Sequence, residues 1–148
     1  MSIGPFCNRD TATVYREASI PEAAKIMRQW HVGCLVVVEN SERGVKPVGI
    51  VTDHDLVIEI LATELEPGAV TVGDIMSINL LLVREEDGLW ETLHRMKSKG
   101  VRRVPVTDAD GCLAGLITLD DLLDRLLSEF SDLLKICDLE QHRDSGRP

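Results

Sequence analysis

The chain has 148 residues, 44% of them hydrophobic and 28% charged, and a formal net charge of −9. This size and balance predict one compact unit, or two small intimate ones, with a real core, and exclude a disordered or fibrous chain. A pI near 4.8 argues against nucleic-acid and acidic-membrane partners, which are held by clustered Lys and Arg.

Residues 1–7 show no basic start followed by an apolar core, so no secretory signal is expected. No apolar run has the length of a membrane helix. The expected location is the cytoplasm. Cys7, Cys34, Cys112 and Cys137 lie far apart with no C-x-x-C spacing, which predicts small buried or half-buried hydrophobes in a reducing compartment rather than a zinc site.

An internal repeat organises the elements. Residues 20–39 laid over 89–108, and 47–60 over 113–126, share eight identities in 34 positions: Glu22/Glu91, Met27/Met96, Val32/Val101, Val37/Val106, Gly49/Gly115, Thr52/Thr118, Asp55/Asp121 and Leu56/Leu122. The offset falls from 69 to 66 because the first turn is longer, and turns absorb length changes.

In chain order, Ala23, Met27 and Trp30 sit at helical spacing. The runs 34–38 and 49–52 read as strands, and a helix starting at Thr52 carries Leu56, Val57, Ile60 and Leu61 on one face. Residues 64–75, with Pro67-Gly68, read as a linker inside one folding unit. The second copy follows with Leu89, Leu93 and Met96, strands over 103–106 and 113–117 joined at Asp110-Gly111, and a helix from Thr118. Strands joined by so short a turn are expected to be antiparallel neighbours. The fold class is mixed α/β (α+β): two small sheets with flanking helices, packed about a pseudo-twofold axis because neither half can bury its faces alone. The boundaries are 7–64 for the first repeat, 65–76 for the linker and lead-in, and 77–128 for the second repeat. Residues 129–148 form a helical extension that ends in a frayed polar tail from Glu140.

The chemistry is expected where a strand hands over to a helix, at Gly49-Ile-Val-Thr-Asp-His-Asp55 and Gly115-Leu-Ile-Thr-Leu-Asp-Asp121. A hydroxyl and a carboxylate three residues on, among free helix N–H groups, suit a phosphate and a ribose diol. Thr-x-x-Asp is also a capping pattern that needs no ligand, and the two readings are compatible. Arg102 and Arg103 offer guanidinium groups where the first copy has Gly33 and Cys34, so any two nucleotide sites are expected to be unequal. Asp53 and Asp120 would let Mg2+ accompany a phosphate, although carboxylates at helix starts are favoured by the dipole alone.

These segments, together with Ile20-Pro-Glu-Ala-Ala24, His31-Val-Gly-Cys-Leu-Val-Val-Val38, Val72-Gly-Asp-Ile-Met76 and Gly100-Val-Arg-Arg-Val-Pro-Val106, resemble a tandem pair of cystathionine β-synthase (CBS) domains, a Bateman module, of the stand-alone bacterial kind. The resemblance implies a cleft for an adenosyl compound: AMP, ADP, ATP, S-adenosylmethionine or NAD. It places Asp55 and Asp121 on ribose hydroxyls, Thr52 and Thr118 on ribose or phosphate, and Arg103 with Arg102 on phosphate. Thr13, Val14, Val32 and Gly33 would wall the site built on Asp121. Leu82, Val83 and Val101, with Arg84 near, would wall the site built on Asp55. The first repeat begins without a counterpart of the Val-Gly-Asp-Ile-Met lead-in.

None of His31, His54, His94 and His142 accompanies a nucleophile motif, and no phosphate-cradling glycine loop is present, so no enzyme activity is expected. Leu122, Leu123, Leu126, Leu127, Phe130, Leu133, Leu134 and Cys137 form a stripe longer than one repeat needs, which predicts a homodimer interface beyond Leu127. The leading reading is a regulatory ligand sensor that signals to an effector protein. The alternative is a constitutive dimeric scaffold.

Overall fold

A computed structural model describes residues 1–146, residues 144 and 145 by their backbone course. The first repeat runs β1 (Thr13–Tyr15), α1 (Ile20–Trp30), β2 (Cys34–Ser41), β3 (Gly44–Thr52) and α2 (Asp53–Leu56), which widens into a π turn over Val57–Leu61. After α3 (Val72–Ile75), the second repeat runs β4 (Val83–Arg84), α4 (Leu89–Lys99), β5 (Arg103–Thr107), β6 (Leu113–Thr118) and α5 (Leu119–Ser145). The sheets have orders β1-β2-β3 and β4-β5-β6. In each, the first pair is parallel and the hairpin antiparallel, with a bulge at the equivalent places Val37/Val38 and Val106/Thr107.

Local chemistry explains the boundaries. Ser19 opens α1 with a reciprocal capping box: the Glu22 N–H donates to the Ser19 hydroxyl at 3.2 Å, and the Ser19 N–H donates to the Glu22 carboxylate at 3.3 Å. Helices α1 and α4 stop at His31 (φ 53°) and Gly100 (φ 67°), equivalent left-handed positions. The sheets differ at Pro105, the counterpart of Val36. The Val36 N–H donates to the Ala12 carbonyl at 3.1 Å. Pro105 has no N–H to give, so β4 pairs over two residues where β1 pairs over three.

Two buried clusters form the core, one per repeat, and each takes in a piece of chain that precedes the other repeat. Val72, fully buried, belongs to the first cluster, and Ile3, equally buried, to the second. The backbone pairing is symmetric. Gly73 donates to Arg16 at 2.8 Å and Gly4 to Glu85 at 2.9 Å; Ser77 exchanges both hydrogen bonds with Ile50, as Asn8 does with Leu116. Ile3-Gly-Pro-Phe-Cys7 is therefore the counterpart of Val72-Gly-Asp-Ile-Met76 at the same offset of 69. The expectation that the first repeat lacks a lead-in is corrected, because the segment docks on the far repeat and not on the strands it precedes. Gly4 and Gly73 hold equivalent places, where an added Cβ would stand 3.1 and 3.0 Å from the Glu85 and Arg16 carbonyls.

Three further expectations are revised. Leu56 and Ile60 pack inward, but Val57 and Leu61 are exposed, as are the equivalent Leu123 and Leu127. Each repeat's second helix thus carries a wider apolar face than its own sheet covers. Trp30 is exposed beside buried Ala23 and Met27. Helix α5 runs to Ser145 instead of fraying from Glu140, and residues 147 and 148 lie outside those described. Its first turns are anchored by Leu122 in the core, by Arg125 donating to the Pro5 carbonyl at 2.9 Å, and by that guanidinium 5.1 Å from the Phe6 ring centroid.

Candidate functional site

The exchanged segments cross between the repeats, and where residues 8–12 cross, a cavity of about 500 Å³ opens. Asn8, Asp10, Thr11 and Ala12 form one wall and His31, Val32, Gly33 and Cys34 a second. Arg103, Leu116, Thr118, Asp120 and Asp121 of the second repeat face them. The volume lies in the range of small-molecule sites, about 300–1,000 Å³. The structure therefore brings together Val32, Gly33, Arg103, Thr118, Asp120 and Asp121 from the sequence-derived set.

It does not bring Thr13 and Val14, which lie two residues further on. Val14 is in the core and Thr13 is half-buried within β1. The cleft wall is Thr11-Ala12 because strand pairing turns the next residues into the sheet. Sequence reasoning also missed Asn8 and Asp10, whose place in the cleft follows from the exchange of lead-ins. Arg102 lies just outside, pairing with Asp120 at 3.4 Å beside a shallow cavity of about 200 Å³ that also touches Arg103 and Thr118.

The two Thr-Asp motifs are used differently. At α2 the box is complete: the Asp55 N–H donates to Thr52 Oγ1 at 3.2 Å, and the Asp55 carboxylate accepts the Thr52 N–H at 2.9 Å. At α5 the Asp121 N–H donates to Thr118 Oγ1 at 3.1 Å. No return bond is made to the Asp121 carboxylate among the described residues, and Asp121 lines the open cavity. Helix α2 has four residues before its π turn, whereas α5 has 27, so α5 presents the fuller set of aligned backbone dipoles.

The pseudo-symmetric position on the Asp55 side holds a cavity of about 160 Å³. Ile50, Ser77, Asn79, Leu80, Leu81, Val101, Arg102 and Arg103 line it. Val101 is where the sequence predicts it. Thr52, Asp55, Val83 and Arg84 are not among its lining residues. Val83 is buried in the core, Leu82 is exposed, and Arg84 points to the surface, 3.8 Å from Glu86. The displacement is again two residues, for the same reason.

Cys34 lines the large cleft. Burial pushes its thiol pKa up; Arg103 opposes the shift, and Asp55 and Asp53 reinforce it. Its folded value thus lies above its ordinary one, so the thiol stays protonated through neutral pH and is a poor nucleophile. Timed alkylation with iodoacetamide at pH 7.5, read by mass spectrometry, is expected to label Cys34 far more slowly in the folded protein than in the protein unfolded by urea. Equal rates would contradict this environment for Cys34. Among the described residues, no three His, Cys, Asp or Glu side chains cluster so as to hold a metal ion.

The CBS-domain family model matches residues 3–62 and 72–128. The chain belongs to the CBS-domain family, as a tandem pair. It is 34% identical over 123 residues to an uncharacterized protein of Methanopyrus kandleri, covering 83% of this chain and 61% of that relative's length. It is 30% identical over 115 residues, 78% of each chain, to hypoxic response protein 1 of Mycobacterium tuberculosis. A crystal structure of Hypoxic Response Protein I with two coordinated zinc ions superposes with a TM-score of 0.72 at 28% identity, over 84% of this chain and 98% of that one. CBSX2 in complex with AMP superposes with a TM-score of 0.69 at 26% identity, over 86% and 96%.

Proposed function

We propose that this chain is a regulatory module that binds an adenosyl compound in the cleft built on Asp121 and passes the occupancy on to a partner protein. The observation that carries the reading is Asp121, which lines a cavity between the repeats and whose carboxylate closes no cap among the described residues, while its counterpart Asp55 is spent on one. The AMP complex of CBSX2 supports an adenine nucleotide as the ligand class. In this reading Asp121 accepts the ribose hydroxyls, Thr118 and the α5 N-terminus face the phosphate, and Arg103 neutralises it. The adenine lies against Thr11, Ala12, Val32 and Gly33.

The charge balance narrows the ligand. Asp10, Asp120 and Asp121 face the single guanidinium of Arg103, while Arg102 is drawn to Asp120. That surplus of carboxylates favours AMP over ADP or ATP unless Mg2+ accompanies the longer phosphates, and it also suits the cationic S-adenosylmethionine over NAD. The test is a calorimetric titration of the protein with each of the five compounds, with and without Mg2+. AMP is expected to bind more tightly than metal-free ATP, and no heat from any compound at millimolar concentration would leave the scaffold reading in its place. A ligand at a hundredfold its Kd stabilises the fold by about 2.7 kcal/mol, so a thermal shift reports the same result. We assign no catalytic step to the chain.

We propose further that the partner of the exposed α5 stripe is a second copy. Leu127, Phe130 and Leu134 are each more than 60% exposed, and the stripe continues the face shown by Leu123. Val57 and Leu61 show the equivalent face on the first repeat. These six side chains supply the apolar centre that an interface of standard size, about 800 Å² per partner, requires. Sedimentation of the wild type is expected to give a dimer, and Phe130→Asp with Leu134→Asp a monomer with an unaltered circular dichroism spectrum. A wild type that is monomeric at tens of micromolar would defeat this assignment.

A further inference from the structure

The two clefts occupy equivalent positions, yet one holds about 500 Å³ and the other about 160 Å³. The pseudo-symmetric offset of 69 identifies the side chains responsible. Where the large cleft has Thr11, Ala12, Gly33 and Cys34, the small one has Leu80, Leu81, Arg102 and Arg103. All four exchanges go from a small side chain to a large one. Val32 and Val101 are identical, Leu116 and Ile50 and likewise Asp10 and Asn79 are close in volume, and the single exchange that runs the other way, Asn8 to Ser77, is too small to offset four enlargements.

The polar groups point the same way. In the large cleft Asp121 lines the cavity, and its carboxylate closes no cap among the described residues. Its counterpart Asp55 accepts the Thr52 N–H at 2.9 Å and does not line the small one. Arg103 borders both cavities. Arg102 is held to Asp120 at 3.4 Å. A nucleotide entering the small cleft would therefore have to displace leucine and arginine side chains, break a helix cap and draw Arg103 from the other site.

We propose that this module takes one nucleotide per chain, in the Asp121 cleft, and that the Asp55 cleft is closed by the chain's own Leu80, Leu81, Arg102 and Arg103. This rests on reading the large cleft as a nucleotide site. The single site makes the signal a simple saturation with no coupling between two occupancies in one chain, and it assigns ligand discrimination to Thr11 and its neighbours.

The experiment is a calorimetric titration with AMP of the full chain and two single variants, each copying the equivalent residue of the other cleft. The wild type is expected to saturate at one AMP per chain. Thr11→Leu is expected to weaken AMP at least tenfold, with its melting temperature confirming that the fold persists. Leu80→Thr is expected to leave both affinity, within twofold, and stoichiometry as they are. Two AMP per chain, or a loss of binding on Leu80→Thr with none on Thr11→Leu, overturns the single-site inference and leaves the nucleotide reading standing. No binding by the wild type removes both.

Discussion

Asp121→Ala is expected to weaken AMP binding by about 100-fold while leaving the folded protein close to its original stability. The carboxylate can accept both ribose hydroxyls, each such charge-assisted hydrogen bond contributes about 1.5–3 kcal/mol, and about 1.4 kcal/mol corresponds to tenfold in affinity. The structural side of the residue is small, since its N–H, which the substitution keeps, makes the bond to Thr118 Oγ1. Asp55→Ala acts on the other quantity. Its carboxylate closes the Thr52 cap, so its removal is expected to cost about 1 kcal/mol of stability, the usual cost of losing a cap. Calorimetry and urea denaturation on both variants separate a binding carboxylate from a capping one. If Asp121→Ala behaves like Asp55→Ala, losing stability and no affinity, both motifs are caps and the scaffold reading gains.

That contrast was not legible in the sequence, where the two Thr-x-x-Asp motifs look alike. What differs is the length of the following helix and the size of the side chains across the cleft, and these act through tertiary contacts that a local pattern does not carry. The antiparallel hairpins and the pseudo-twofold were legible, because β-branched runs, a short Asp-Gly turn and the repeat each constrain them directly, whereas the parallel pairs made by the two- and three-residue strands β4 and β1 were not. The sequence points to cleft walls two residues late, at Thr13 and Val14 in place of Thr11 and Ala12, because a strand start looks like the facing segment while its side chains turn into the sheet. Arg84 failed for another reason. Its guanidinium follows the alternation of β4 outward to Glu86, while Val83 turns into the core. Among the described residues, no helix is long and apolar enough to cross a membrane.

The exchanged lead-in was readable in principle. Extending the offset of 69 backward lays Ile3, Gly4, Phe6 and Cys7 over Val72, Gly73, Ile75 and Met76. One identity among five positions is weak as pattern but strong as packing, and it supports the largest stability effect expected in this molecule. Ile3→Ala removes a fully buried side chain from the second repeat's cluster, and truncating a buried Ile to Ala costs about 2–5 kcal/mol. A domain of this size is stable by about 5–15 kcal/mol, so the loss is a sizeable fraction, from a position two residues from the N-terminus. Denaturation by urea, with Ser2→Ala as the exposed control in the same segment, measures it. A cost below about 0.5 kcal/mol, the range of ordinary surface changes, would mean that residues 1–8 do not dock as described. The same segment continues into Asn8, Asp10, Thr11 and Ala12, one wall of the large cleft. Loosening Ile3 should therefore weaken AMP binding as well as the fold, because the residues that join the two repeats also shape the space between them.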